Sequence, residues 1–260
     1  MVRAGEFQKS RFGSTIKIHK KGAIDLVTEV DLEVERRFRA MIAERFPNHA
    51  VLAEEMGESG PPTALGASAG PRYRWVFDPL DGTSNYAHGI PIYCSTLALE
   101  IDGIATVGAV FDPSRNELFT AERGVGAWLN GERLQVSSTT SLSDAMLVTG
   151  FPYDVREKLD DYLALFGEYL RNARAVRRLG SAAIDLCWVA AGRMDGFWER
   201  GLKAWDMMAG GLIVREAGGR VTALDGGPWK PYDGHVLASN GHIHDAMVAI
   251  GTAHALGDSR

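Results

Sequence analysis

Cysteine is scarce in this chain. Only Cys94 and Cys187 occur among 260 residues, so no disulfide framework can staple the fold, and a reducing cytoplasm is the expected compartment. Neither sits in a Cys-x-x-Cys pair, which speaks against a redox or zinc role. No apolar run approaches the ~18 residues of a membrane span, and the first residues lack the apolar core of a signal peptide. Basic charge is also short. A net charge of −5 provides no broad cationic surface, so neither direct nucleic-acid binding nor attachment to anionic membranes is expected. There is no internal repeat. What remains, 45% hydrophobic and 23% charged, is the composition of an ordinary soluble globular protein with enough chain for a substantial core.

Against that background residues 75–85, WVFDPLDGTSN, stand out. Trp75, Val76 and Phe77 form a short aromatic and β-branched run that suits a buried strand, and Asp78-Pro79 predicts a turn after it. A type I turn there would converge the carboxylates of Asp78 and Asp81, whose like charges call for a cation. Gly82, Thr83, Ser84 and Asn85 then supply a close backbone approach, a hydroxyl and N-cap residue types. A short helix starting there would aim free N–H groups at an anion beside the metal. Metal and phosphate at one turn is a phosphatase layout.

Along the rest of the chain, residues 1–24 are weakly patterned, with Lys17, Lys20 and Lys21 read as a solvated charge run ahead of the alternative that they pair with the site's carboxylates or with phosphate. Residues 25–31 lead into a helix with Asp31 at its start and with Val34, Phe38, Met41 and Ile42 on its apolar face. Glu33 with Arg37 and Glu35 with Arg39 are i,i+4 pairs on its wet face, and Pro47 closes it. Residues 50–53 read as a strand delivering Glu54 and Glu55 at its end. Residues 57–71, rich in Gly, Pro, Ala and Ser, read as an exposed loop able to influence access to the site. Residues 92–134 form an antiparallel meander with hairpin turns at Asp102-Gly103 and Asn130-Gly131, while Asp112-Pro113 is a plain turn. The Ser/Thr-rich residues 137–143 mark a boundary. They separate an N-terminal α+β domain (1–140) from a C-terminal α/β domain (141–260). In the second domain, helices are predicted over 155–172, from Gly180-Ser181 to Gly192, and over 206–217. Strands are predicted at 175–179, 197–199, 221–223 and 236–239. His235, His242 and His244 lack the supporting pattern of a zinc site.

The strand-end and helix-start carboxylates are Asp31, Glu54, Asp78, Asp81 and Asp206. All-oxygen ligation of this kind suits Mg²⁺ or Mn²⁺, with water and phosphate completing the shell. Residues 75–85, together with 205–219 (WDMMAGGLIVREAGG), resemble the paired signatures of the inositol monophosphatase family. Residues 25–31 (DLVTEVD) and Ala53-Glu54-Glu55 support the resemblance, in the family's order and approximate spacing over nearly the whole chain.

The resemblance implies a layered α-β-α-β-α sandwich of the sugar-phosphatase type, Mg²⁺ as cofactor in two or three sites, Li⁺ sensitivity and a homodimer. Its substrate would be a small phosphate monoester, myo-inositol 1-phosphate foremost; fructose 1,6-bisphosphate, histidinol phosphate and adenosine 3′,5′-bisphosphate are the alternatives, and a regulatory binding protein on the same scaffold is another. Carried over by residue, it implies that Glu54, Asp78 and the Leu80 carbonyl hold one ion, and that Asp78, Asp81 and Asp206 hold a second. A third, looser ion would use Glu54 and waters. Asp31 and Thr83 would activate the attacking water, and the Gly82 and Thr83 amides would hold the phosphate. Gly180, Ser181, Ala182 and Glu199 would meet the substrate's hydroxyls, with Lys20 near the site. The N-terminal helix typical of the family is expected to be largely absent or shortened.

Overall fold

The computed structural model describes residues 1–22, 25–61 and 72–254. Two sheets and three helical layers alternate in it. The larger sheet has eight strands, β3 (Ala50–Ala53), β4 (Gly57–Ser59), β5 (Tyr73–Asp81), β6 (Cys94–Ile101), β7 (Ile104–Asp112), β8 (Glu117–Glu122), β9 (Gly126–Leu129) and β10 (Glu132–Arg133). Their spatial order is β10-β9-β8-β7-β6-β5-β3-β4. The meander from β5 onward is antiparallel, whereas β3 runs parallel to β5. Asp102-Gly103 and Asn130-Gly131 turn two of its hairpins, each with both residues at positive φ as a type I′ turn requires. A short β-ribbon of β1 (Ile18–Lys20) and β2 (Leu26–Thr28) stands apart.

The second sheet, ordered β12-β11-β13-β15-β14, contains β11 (Met146–Thr149), β12 (Ala175–Arg177), β13 (Gly196–Arg200), β14 (Arg220–Thr222) and β15 (His235–Ser239). Residue alternation along these strands decides which helices they meet. Val148, Phe197 and Ala238 face inward, onto α5 (Ala182–Ala190) and α6 (Ala204–Glu216), which pack on their other side against Val76, Ala98, Val110 and Phe119 of the large sheet. Leu147, Trp198 and Leu237 face outward, onto α4 (Leu159–Asn172) and α7 (His244–Ala253). On the far face of the large sheet, α2 (Glu29–Arg45) buries Val30, Val34, Phe38 and Ile42 against Val51 and Phe77, with α1 (Val2–Arg11) beside it. The layers therefore read α-β-α-β-α.

Several expectations need correction. The weakly patterned N-terminal segment, where the helix is expected to be largely absent or shortened, does hold one: α1 is a ten-residue helix that its polar sequence conceals, anchored by Gln8, whose buried Nε2 donates to the Pro79 carbonyl (2.6 Å) and to Ser95 Oγ (2.9 Å). The chain does not turn at Asp78-Pro79. β5 runs on to Asp81 through a bulge in its pairing with β6, because a bulge tolerates the missing proline N–H. Glu35 faces the interior, with its side chain fully buried, and Met41 is exposed instead. The helix predicted from residue 155 begins at Leu159. Within the predicted 57–71 loop, Gly57–Ser59 pairs with β3, while 62–71 lie outside the described residues.

Candidate active site

The acidic residues meet because of register. Ala53 of β3 pairs with Phe77 of the parallel β5, so the next residues, Glu54 and Asp78, emerge side by side, and the Glu54 N–H donates to the Phe77 carbonyl (3.3 Å). The bulge that follows brings Asp81 to the same edge. Asp78 Oδ1 accepts from the Leu80 N–H (2.8 Å), and Asp81 Oδ2 accepts from Ser181 Oγ (2.7 Å) and the Ala183 N–H (2.8 Å). A carboxylate at the first turn of α5 also suits that helix's dipole, so one side chain ties the large sheet to the central helical layer. Asp206 occupies the equivalent first turn of α6 and accepts from the Lys203 N–H (2.6 Å).

Gly82 caps a short helix, α3 (Thr83–Ala87), from a left-handed conformation (φ 91°). A Cβ there would lie 2.8 Å from the Ile92 carbonyl oxygen, so only glycine fits the turn. Asp31 is the third residue of α2, not its N-cap. The cap is Thr28, whose backbone N–H and hydroxyl both donate to Asp31 Oδ2, the N–H at 2.9 Å. The other oxygen, Oδ1, lies 3.0 Å from Thr83 Oγ1, which also reaches the Leu80 carbonyl at 2.8 Å. Glu54, Asp78, Leu80, Asp81, Gly82, Thr83 and Asp206 line one cavity of about 310 Å³, together with Gly180, Ser181, Ala182 and Glu199; Asp31 is fully buried behind Thr83 and does not line it. Glu199 leans over Gly150, where a Cβ would lie 2.2 Å from its carboxylate.

Crowding these acids is costly. Burial, with the charges of Glu54, Asp81 and Asp206 added, raises Asp78 well above the usual carboxylate range. Burial likewise raises Asp206, which Asp81 and Glu54 push further, and Asp81 to about 6 against the hydrogen bonds from Ser181 and Ala183. Asp31 is also pushed up to about 6 by burial, with the Thr28 hydrogen bonds opposing. Divalent cations are the group that relieves such a cluster, and the donors fit: carboxylate and carbonyl oxygens with no imidazole or thiolate among them. Among the described residues, no three His, Cys, Asp or Glu side chains already surround a single point. The carboxylates are instead engaged with protein donors, Glu54 with Lys21 Nζ (2.9 Å), Asp81 with α5 and Asp206 with Lys203.

Two lysines exchange roles relative to expectation. Lys20 is exposed on β1 and does not line the cavity, whereas Lys21 does, bridging Glu54 and Glu55. Burial lowers the Lys21 ammonium but the two carboxylates outweigh it, so it is held firmly charged. Sequence reasoning also missed Glu35. Its carboxylate accepts from the Glu55 N–H (2.8 Å), the Met56 N–H (3.0 Å) and Arg39 Nε (2.7 Å), so it fixes the turn that presents Glu54. Nothing in an i,i+4 pattern distinguishes a buried pair from a wet one. Asn85, noted only for its residue type, donates from Nδ2 to the carbonyls of Ile92 (2.9 Å) and Leu179 (2.8 Å) and so joins α3 to the segment before α5.

A layered α/β fold with an all-oxygen acidic cavity, set beside a glycine-capped turn, defines a phosphoric monoester hydrolase. The comparisons agree. The chain matches the model of the Inositol monophosphatase family over residues 1–255. It is 47% identical to an inositol-1-monophosphatase of Synechocystis over 95% of this chain and 84% of the relative, and 43% identical to the Nus factor SuhB of Pseudomonas aeruginosa over 90% and 85%. Among solved structures, the inositol monophosphatase of Anabaena superposes with a TM-score of 0.84 at 41% identity, covering 96% of this chain and 90% of that one. The extragenic suppressor protein suhB of Bartonella henselae superposes with a TM-score of 0.88 at 36% identity, covering 98% and 95%. The chain belongs to the inositol monophosphatase family.

Proposed function

We propose that the chain hydrolyses myo-inositol 1-phosphate, or a similar polyol phosphate, to the alcohol and inorganic phosphate with Mg²⁺ as cofactor and Mn²⁺ as a substitute. The observation that supports this most is a cavity lined by the four carboxylates Glu54, Asp78, Asp81 and Asp206 and also by Glu199. Glu54, Asp78, Asp81, Asp206 and the Leu80 carbonyl would hold two ions, with a third on Glu54 and waters. When bound, such ions neutralise phosphate charge, acidify water and stabilise the leaving alkoxide. Thr83 would orient the attacking water, and Asp31, hydrogen-bonded behind it, would take up the proton passed through the Thr83 hydroxyl, while the Gly82 and Thr83 amides hold the phosphate. Ser181, Ala182, Gly180 and Glu199 receive the alcohol.

Steady-state turnover of myo-inositol 1-phosphate, fructose 1,6-bisphosphate, histidinol phosphate and adenosine 3′,5′-bisphosphate, each with Mg²⁺ and with EDTA, tests the reading. The inositol ester should have the highest kcat/KM and lose it in EDTA. A tenfold preference for a bisphosphate, or full activity in EDTA, would sink it. Li⁺ should inhibit, and light scattering should give a homodimer. Among the described residues no helix is long and apolar enough to cross a membrane, which fits a diffusible substrate.

Relatives named Nus factor SuhB, 41–43% identical, favour a second reading, a regulatory binding role on the same scaffold. Capture of a partner by a catalytically dead Asp206→Asn variant would separate it from catalysis.

A further inference from the structure

Register sets Gly150 beside Glu199. β11 and β13 run parallel with Thr149 opposite Trp198, so the residues that follow, Gly150 and Glu199, leave the sheet together at its carboxyl edge, where open α/β sheets hold their ligands. Thr149 Oγ1 donates to the Trp198 carbonyl (2.6 Å) and so ties the two strand ends. Both Gly150 and Glu199 line the cavity. A Cβ added at Gly150 would meet Glu199 before anything else, its three nearest atoms being Oε1 at 2.2 Å, Oε2 at 2.3 Å and Cδ at 2.4 Å. The carboxyl group therefore rests against bare backbone.

Nothing in the chain's conformation demands glycine there. Gly150 is not at positive φ, so an L-residue could adopt its backbone without strain. What the glycine supplies is room. Arg178, which also lines the cavity, acts on Glu199 through its charge alone, with no hydrogen bond between them among the described residues. Nor are the Glu199 oxygens sealed away as both oxygens of Asp185 on α5 are, so the group can be met from the cavity. Its seat matters because a hydrogen bond is lost beyond about 3.2 Å, a tolerance smaller than the displacement a methyl group would force. We propose that Gly150 is a positioning residue: the missing side chain lets Glu199 lie across the strand edge, and that seat sets where the acid meets the hydroxyls of the substrate's alcohol. This rests on the role given to Glu199 above. The clash that alanine would make is with the tip of a flexible side chain, so the protein answers it by moving Glu199 and not by unfolding.

The experiment compares kcat/KM for myo-inositol 1-phosphate with that for 4-nitrophenyl phosphate, whose leaving group carries no hydroxyl besides the one formed. It uses the Mg²⁺-loaded wild type, Gly150→Ala, Glu199→Ala and the double variant. In Gly150→Ala the ratio of the two constants should fall about tenfold, the worth of one misplaced hydrogen bond, mostly as a rise in KM for the inositol ester. Its Tm should hold or rise slightly, because alanine restricts the unfolded chain. Added to Glu199→Ala, the same substitution should change the ratio less than about twofold, since no side chain remains to be displaced. A glycine needed only for folding would instead lower Tm and depress both substrates in step. An equal loss of ratio with and without Glu199 overturns the proposal. If Glu199→Ala keeps the wild-type ratio, the role of Glu199 falls and takes this one with it. If Glu199→Ala lowers the ratio and Gly150→Ala does not, only the role of Gly150 fails.

Discussion

Replacing Glu35 with alanine removes one side chain from a place where three donors converge. Its carboxylate is fully buried and Arg39 is only 16% exposed, so their ion pair is of the kind whose rupture leaves an uncompensated charge in the interior. Removing one partner of such a pair costs about 3–5 kcal/mol. The orphaned Glu55 and Met56 amides fall within that figure and are not added to it, because the groups share one carboxylate. Arg39 keeps part of its anchoring through the Gly57 carbonyl (2.6 Å) and Ser59, which favours the lower end of the range. At about 2–4 °C per kcal/mol for a domain of this size, Tm should drop by roughly 10 °C. Urea unfolding followed by circular dichroism in EDTA gives the stability directly. A second readout ties the network to function: since the turn that Glu35 holds presents Glu54, the Mg²⁺ concentration for half-maximal activity should rise about 10–100-fold, as for other outer-shell positions. Glu35→Gln, which keeps one acceptor, should fall between the two proteins. A stability loss below about 1 kcal/mol in Glu35→Ala, with unchanged Mg²⁺ dependence, would refute the reasoning.

Three further outcomes are expected. Asp206→Asn should lower turnover at saturating Mg²⁺ by more than the roughly 100-fold that loss of an outer-shell partner costs, and near-normal turnover would remove Asp206 from the ligand set. Thr83→Ala, which deletes the hydroxyl between Asp31 and the Leu80 carbonyl, should reduce kcat by about 10²-fold with little change in KM, whereas Thr83→Ser should recover most of it; equal kinetics for the two variants would argue against the hydroxyl. Glu199 is raised to about 8, by burial first, with Arg178 opposing and Asp81 adding to the shift. A carboxyl whose folded value lies above its unfolded value near 4.3 contributes stability that is present below the unfolded value and lost as pH rises through the folded one. Glu199→Gln should therefore match the parent near pH 4 and be the more stable protein at pH 8, with Asp185 and Arg178 unchanged beside it. Parallel stability profiles for the two would contradict that assignment.

How much was legible in the residues depended on how local the cause was. The Asp102-Gly103 and Asn130-Gly131 hairpins follow from dipeptide chemistry alone, and the acidic set announced itself by residue type at strand ends and helix starts. Layer order is also written in alternation, as in Val148 against Leu147. What could not be read was set by partners distant in sequence. α1 is held by Gln8 reaching Pro79 and Ser95, 71 and 87 residues away, not by an apolar stripe. The Asp78-Pro79 pair reads as a turn until the flanking strand β6 absorbs it as a bulge. Glu35 and Arg39 look like any surface pair, and Lys20 and Lys21 differ only in that Lys21 meets Glu54 and Glu55, 33 and 34 residues away.

The bond between Asp81 and Ser181 spans 100 residues of sequence. On a ribosome adding about 5–20 residues per second, roughly 5–20 s pass between the synthesis of those two residues. Through that interval the eight-stranded sheet can pair its strands while its acidic edge still lacks α5 and α6, and so lacks Asp206. Enzymatic competence therefore cannot precede the docking of α5 and α6, and the appearance of activity during translation can serve as a clock for the docking of the central helices.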